Sequence, residues 1–310
     1  GHRGFSHSLL VQAAVTPLLG EGMVRFIKVL RQQRPPVYLA VYLCLATHAL
    51  LDGLTIYGTK LLWPLSMEPY AVGSVFIIDA LYTLPLLVAT IWALCLPKWS
   101  RRMGTVITAA LVLSTAYQAW CLAAQQIVTA RAGEMLEQAG VSAEKILAIP
   151  TPFNSYLWRV IVLDSERYLN LYIPVLGGRE QITVYEHPRG RALATCLDGN
   201  PNLDKLAWFS RGYFRLDLHR GLRGDEVVFS DLRMGLTPNY AFRFAIARHD
   251  AGGSQAIPPR HLGGPRGTWA DVEWLLANMG HDPVMRLAEA KAWLRTADLS
   301  TTARSQAAVC

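Results

Sequence analysis

Residues 36–57, PVYLAVYLCLATHALLDGLTIY, constrain this chain more than any other stretch. The run is apolar and long enough to cross a bilayer, for which about twenty helical residues suffice. It nevertheless holds His48, Asp52 and Thr55. Residues three and four apart lie above one another on a helix, so an imidazole, a carboxylate and a hydroxyl share one stripe. An ionisable group at membrane depth costs about 2.5–3.5 kcal/mol or more, and such groups usually face a cavity or a partner and mark function. The stripe reads as half of a metal site. A polar pair that only holds helices together is the plainer alternative.

Charge is distributed unevenly around that run. Across residues 36–96 the only Asp, Glu, Lys or Arg residues are Asp52, Lys60, Glu68 and Asp79, whereas beyond residue 130 the charge density is that of a soluble domain. The shift marks the main boundary. The net charge of +7 sits largely in short loops beside apolar runs, where positive charge sets membrane topology. No basic stripe interleaved with aromatics stands out, so no nucleic-acid partner is expected. Cysteines at 44, 95, 121, 196 and 310 form no CxxC pair and no disulfide framework. The chain opens on Gly1, not Met, and is expected to be processed or a fragment, with ligands upstream.

Read in order, residues 5–20 predict a first membrane helix, kinked at Pro17. Residues 36–57 are the second, 72–96 the third and 105–128 the fourth. Arg25, Lys28, Arg31 and Arg34 precede the second helix, and Lys98, Arg101 and Arg102 precede the fourth. The positive-inside rule puts both basic groups in the cytoplasm, and the 58–70 loop and everything after residue 130 outside. His2, His7, Asp52, Thr55 and Asp79 then share the outer end of their helices. Residues 131–148 predict an amphipathic helix and 149–154 a Pro-bounded linker. Strand-like runs follow at 158–164, 167–176, 206–218, 225–236 and 240–248, separated by turn residues. Two helices are expected near 269–278 and 283–296, then a disordered tail.

His2, His7, His48 and Asp52 are ligand types that suit zinc, with manganese or iron as further candidates. The i, i+4 spacing lets His48 and Asp52 reach one ion. His2 and His7 converge only if His2 lies in a turn before the helix, and Ser6 and Ser8 are candidate helix caps there. A catalytic centre also needs an open position where a water is activated. Asp79 is a candidate catalytic carboxylate, either a further ligand or the group that orients a histidine, with helix packing the plain alternative. Arg3 is a candidate catalytic anion clamp, since guanidinium matches phosphate or carboxylate. An interfacial arginine is the alternative to it. In the outer domain, Asp231 and Arg233 read as an exposed cross-strand salt bridge.

Five stretches carry a resemblance: 2–10 (HRGFSHSLL), 48–66 (HALLDGLTIYGTKLLWPLS), 77–87 (IIDALYTLPLL), 150–160 (PTPFNSYLWRV) and 229–236 (FSDLRMGL). Together they resemble the YdjM-type family, LexA-binding, inner-membrane-associated, metal-dependent hydrolases. Ser6 stands where the family pattern has Thr. Members usually begin with a further membrane segment ending in Pro-Asp-x-Asp, so the resemblance implies a chain truncated at its start. It also implies metal-linked roles for His2, His7, His48 and Asp52, and inner-membrane residence.

The expected fold is a polytopic α-helical membrane domain of about four transmembrane helices (1–130), a linker (131–154), a β-rich α+β extramembrane domain (155–298) and a tail (299–310). The expected function is a membrane-bound hydrolase with a divalent metal cofactor, acting on an ester of a lipid-linked or amphipathic substrate at the outer face of the inner membrane. The bilayer is its expected partner. A metal or proton transporter using the same His/Asp groups, or a structural membrane protein, would need the same residues.

Overall fold

The structure, a computed structural model, describes residues 3–221, 224–250, 253–264, 267–279 and 283–299. The chain divides into two compact units, residues 1–118 and 119–310.

The first unit is helical. A 3-10 turn, Phe5–His7, leads through Ser8 into α1 (Leu9–Phe26). The Ser8 hydroxyl caps α1 by accepting from the Val11 amide, because the first amides of a helix lack internal partners. α2 (Arg34–Leu54) starts with prolines in its first turn, where no amide donor is needed. α1 buries Gln12, Thr16, Gly20 and Val24, one residue per turn, and Gly20 lies directly under the Tyr38 ring of α2. Small residues on such a stripe let two helices approach closely. After α2 the chain runs without regular structure to α3 (Ala80–Leu94), then enters α4 (Arg101–Gln138), which ends in the second unit.

About four transmembrane helices were expected; two described helices are long and apolar enough to cross a membrane, α2 and α4. α1 carries Glu21 and Arg25 in its last turns, with Arg25 paired to Glu21 at 3.2 Å. α3 has 15 residues and rises about 22 Å, short of the ~30 Å hydrocarbon thickness. Asp79 shortens it. Its carboxylate accepts from the Leu81 and Tyr82 amides, so the helix starts after it and 72–79 stays outside any helix. The membrane-compatible part is therefore a pair of helices with shorter companions.

The second unit is a β-rich body. Gly140, at φ +66°, follows the end of α4, and the Val141 amide returns to the Leu136 carbonyl, which closes the helix. The helix expected over 131–148 thus stops at Gln138, and β1 (Lys145–Pro150) follows. β1 pairs with β2 (Leu157–Leu163), β2 with β3 (Arg167–Pro174), and β3 with β4 (Thr183–Pro188), all antiparallel. Two short helices, α5 (Arg191–Thr195) and α6 (Pro201–Phe209), precede β5 (Phe214–Gly221). The strand expected over 206–218 is thus helix as far as Phe209, in a helix begun by Pro201 and the Asn200 cap, and strand only from Phe214. β6 (Gly224–Asp231), a small hairpin of β7 (Gly235–Leu236) and β8 (Asn239–Tyr240), β9 (Arg243–Asp250) and β10 (Gly253–His261) come next. The second sheet runs β10-β9-β6-β5. Last are α7 (Trp269–Ala277), a 3-10 turn (Leu287–Ala292) where a second helix was expected, and β11 (Trp293–Leu294), which adds to β4.

β2 and β3 are buried along their whole length, because both faces of their sheet are covered. One face holds Trp158, Val160, Val162, Leu169 and Leu171 against Ala124, Val128, Ala132 and Leu136 of α4. The spacing of those α4 residues is that of one helix stripe. On the other face α7 supplies Trp274 and Leu275 against Leu157, Tyr172 and Tyr185. Beside them lies a buried charged network. Glu289 accepts from Asn170 (2.6 Å), Tyr172 (2.8 Å) and Arg286 (2.8 Å), and His187 Nε2 lies 2.7 Å away. Burial would raise the Glu289 pKa, but the His187 hydrogen bond and the Arg286 and Arg159 charges outweigh it and hold the carboxyl at about 2. Asp231 and Arg233 form a pair as expected, at 2.7 Å, but it is buried rather than exposed.

Candidate metal centre

The site is built where the chain before α1 folds back onto the end of α2. Three anchors hold it there: the Lys60 amide donates to the Arg3 carbonyl, the Leu9 amide to the Leu61 carbonyl, and the Ser8 hydroxyl to the Trp63 carbonyl. Arg3 takes φ +60°, the left-handed region that non-glycine residues rarely adopt. Such backbone strain persists only where surrounding contacts over-determine it, and it clusters at functional sites.

At the end of α2, Asp52 faces this segment from both carboxylate oxygens. His7 Nε2 lies 3.4 Å from Oδ2, and His48 Nε2 lies 3.8 Å from the same oxygen. The two rings are 5.4 Å apart between centroids. One ligand atom from each of His7, His48 and Asp52 falls within 4.8 Å of the others. Two ligands bonded to one tetrahedral zinc at about 2.0–2.2 Å stand about 3.4 Å apart, so the spacing fits a shared divalent ion. The opposite oxygen, Oδ1, receives Arg3 Nη2 at 3.1 Å. Arg3 Nη1 donates to the Thr55 hydroxyl at 2.7 Å, and that hydroxyl donates to the Asp52 carbonyl at 2.7 Å. The Tyr57 ring lies 5.0 Å from the guanidinium carbon, at cation–π range. On the histidine side, Ser6 Oγ is 3.1 Å from His7 Nδ1, which leaves Nε2 toward Asp52. Partners of this kind fix ring orientation and ligand basicity in metal sites.

Of the residues singled out in the sequence, the structure brings His7, His48, Asp52 and Arg3 together. His2 lies outside the described residues. Asp79 is elsewhere: it caps α3, and its second oxygen accepts from the Tyr117 hydroxyl at 2.8 Å. Arg3 was expected as a clamp for a substrate anion; its guanidinium instead grips Asp52 and Thr55. Ser6 and Tyr57 were not singled out for this role. The i, i+4 rule finds residues on one α-helix, whereas Ser6 is the immediate neighbour of His7 in a 3-10 turn and Tyr57 lies beyond the end of α2, 54 positions from Arg3.

The family model described as YdjM inner membrane protein matches residues 1–128. Over that region the chain is similar to the YdjM family. The match takes in Arg3, His7, His48 and Asp52, together with α1, α2 and α3, and ends within α4. The inner-membrane description of that family agrees with the two described helices that are long and apolar enough to span. All the strands of the β-rich unit lie beyond the match. No curated protein and no solved structure matches the chain.

Proposed function

We propose that the YdjM region of this chain is a divalent-metal hydrolase acting on an amphipathic or lipid-linked ester at the membrane surface. The convergence of His7 and His48 on a single oxygen of Asp52 carries this reading. A bound divalent ion would supply a water of near-neutral pKa and polarisation of the ester. The protein's own part is orientation. Arg3 holds Oδ1 so that Oδ2 is presented to the two imidazoles, and Ser6 holds the far side of the His7 ring. His48, 63% exposed at its side chain, leaves the centre open to a substrate arriving along the membrane. Arg3 is thus a positioning residue rather than an anion clamp.

α2 begins at Arg34, after Arg25, Lys28 and Arg31; by the positive-inside rule that end lies in the cytoplasm, and the Asp52 end of α2 faces the periplasm. The test is hydrolysis of a panel of lipid phosphoesters by the full chain in nanodiscs, with zinc or manganese added. Turnover by wild type that disappears in His48→Ala, while membrane insertion persists, supports the reading. Unchanged turnover in His48→Ala rules it out.

A second reading draws on the Arg3–Asp52 ion pair at 3.1 Å. On that reading the cluster is a metal-free lock tying the chain before α1 to α2. It expects no metal uptake, and loss of the folded arrangement in Arg3→Ala.

A further inference from the structure

We infer that the turn joining α1 to α2, residues 25–33, binds the headgroups of anionic phospholipids. This rests on α2 as a membrane span, not on the proposed chemistry, and turn and helix belong to the same compact unit. The segment RFIKVLRQQR (25–34) places a cation at every third residue: Arg25, Lys28, Arg31 and Arg34. The nearby carboxylate, Glu21, is already engaged by Arg25 at 3.2 Å, by Arg34 at 3.4 Å and by the Tyr38 hydroxyl at 2.9 Å. Lys28 and Arg31 are exposed, and among the described residues neither side chain has a hydrogen-bond or ion-pair partner.

Local geometry brings the two uncompensated cations together. Lys28–Leu30 is a 3-10 turn closed by Arg31, whose amide donates to the Lys28 carbonyl at 3.3 Å. Residues three apart eclipse on such a turn, so Lys28 and Arg31 share a side. The Ile27 amide donates to the Met23 carbonyl and the Gln33 amide to the Leu30 carbonyl, each at 2.9 Å, which fixes the turn at both ends. Interleaved with the cations stand Phe26, 90% exposed, and Val29, 86% exposed, the two most exposed large apolar residues described. Water rewards neither exposure. Cations interleaved with uncovered apolar side chains suit a membrane interface, where the apolar groups enter the acyl boundary and the cations meet phosphates. α2 starts at Arg34, directly after the turn, so the turn stands at the end of the span that the positive-inside rule assigns to the cytoplasmic leaflet. Anionic lipids give that leaflet its negative surface. They supply the counter-charge that Lys28 and Arg31 lack, which a zwitterionic lipid of no net charge does not.

The test uses the full chain in vesicles of phosphatidylcholine with phosphatidylglycerol as the minor component. A photoreactive benzophenone amino acid replaces Phe26 and, in a separate protein, Val29, so a probe that disturbs one position leaves the other as the readout. Leu50, exposed near the opposite end of α2, carries the same probe as the reference for bulk lipid. Mass spectrometry of the crosslinked lipid should give a phosphatidylglycerol-to-phosphatidylcholine ratio at position 26 or 29 several-fold above that at Leu50. Lys28→Gln/Arg31→Gln should keep the lipid crosslinks at all three positions and bring the ratio down to the reference. The inference is overturned by a reference ratio at both positions in the otherwise unchanged chain, or by enrichment that survives the double substitution. Crosslinks to protein in place of lipid at 26 and 29 overturn it as well, and loss of lipid crosslinks at Leu50 overturns it together with α2 as a span.

Discussion

At the scale of single residues, the centre depends on how one carboxylate is shared. Asp52 gives Oδ2 to two imidazoles and Oδ1 to Arg3, and without the guanidinium it is free to rotate. Arg3→Ala should therefore weaken zinc binding by about 10–100-fold, the usual loss when the partner of a ligand is removed. Arg3→Lys should recover only part, because an ammonium cannot engage Asp52 and Thr55 as one planar fork. Isothermal titration with zinc reads both variants, and equal affinities in Arg3→Ala and wild type would remove Arg3 from the account. His48 and Asp52 were legible in the sequence because helical periodicity alone places them on one face. The Arg3–Asp52 pair was not, since it joins residues 49 positions apart through a turn whose geometry leaves no periodic trace.

At the scale of elements, helices separate into those that span and those that support. α1 meets α2 through a stripe of small and polar residues, and a Cβ at Gly20 runs into the Tyr38 ring. Gly20→Ala should lower stability by about 1–3 kcal/mol through overpacking and displace Tyr38, whose hydroxyl bonds to Glu21 at 2.9 Å. Thermal unfolding in detergent checks this, and an unchanged midpoint would show that the two helices can part at no cost. Apolar length was legible along the chain, and the centres of the α2 and α4 spans were located from it. The boundary of α3 was hidden, because Asp79 reads as a polar residue within a span but acts as its cap. Strands rich in Val and Ile were visible too, whereas 206–218 misled: aromatic content suggested a strand where Asn200 and Pro201 start a helix.

At the scale of the molecule, pH dependence follows from the buried carboxylates of the β-rich unit. Glu289 is held at about 2 against an ordinary value of 4.5, and the Asp271 carboxyl is also lowered: burial opposes this, but the Thr268 amide and the Arg286 guanidinium prevail. A carboxyl depressed on folding contributes its full stability above the unfolded pKa, and that contribution is lost as pH falls through the folded one. The stability of this unit should accordingly drop between about pH 4.5 and 2, by on the order of 3 kcal/mol from Glu289 alone. Glu289→Gln should flatten that acid limb and destabilise the unit by about 3–5 kcal/mol at neutral pH, since Arg286 is left buried with less compensation. Circular dichroism melts of the two proteins across this range decide the matter, and parallel acid limbs would contradict it. The polar character of the unit was plain from charge density. Its buried network was not, because His187 and Glu289 look in sequence like the surface residues around them.

The central claim, that His7, His48 and Asp52 hold a divalent ion, is tested most directly by metal content. The measurement is elemental analysis of the full chain purified without chelator, wild type beside His48→Ala/Asp52→Ala. About one zinc, manganese or iron per chain in wild type, absent from the double variant, is the predicted result. No metal in wild type, with none taken up from added divalent ions, would contradict the claim and leave the cluster as an ion-paired lock between the start of the chain and α2.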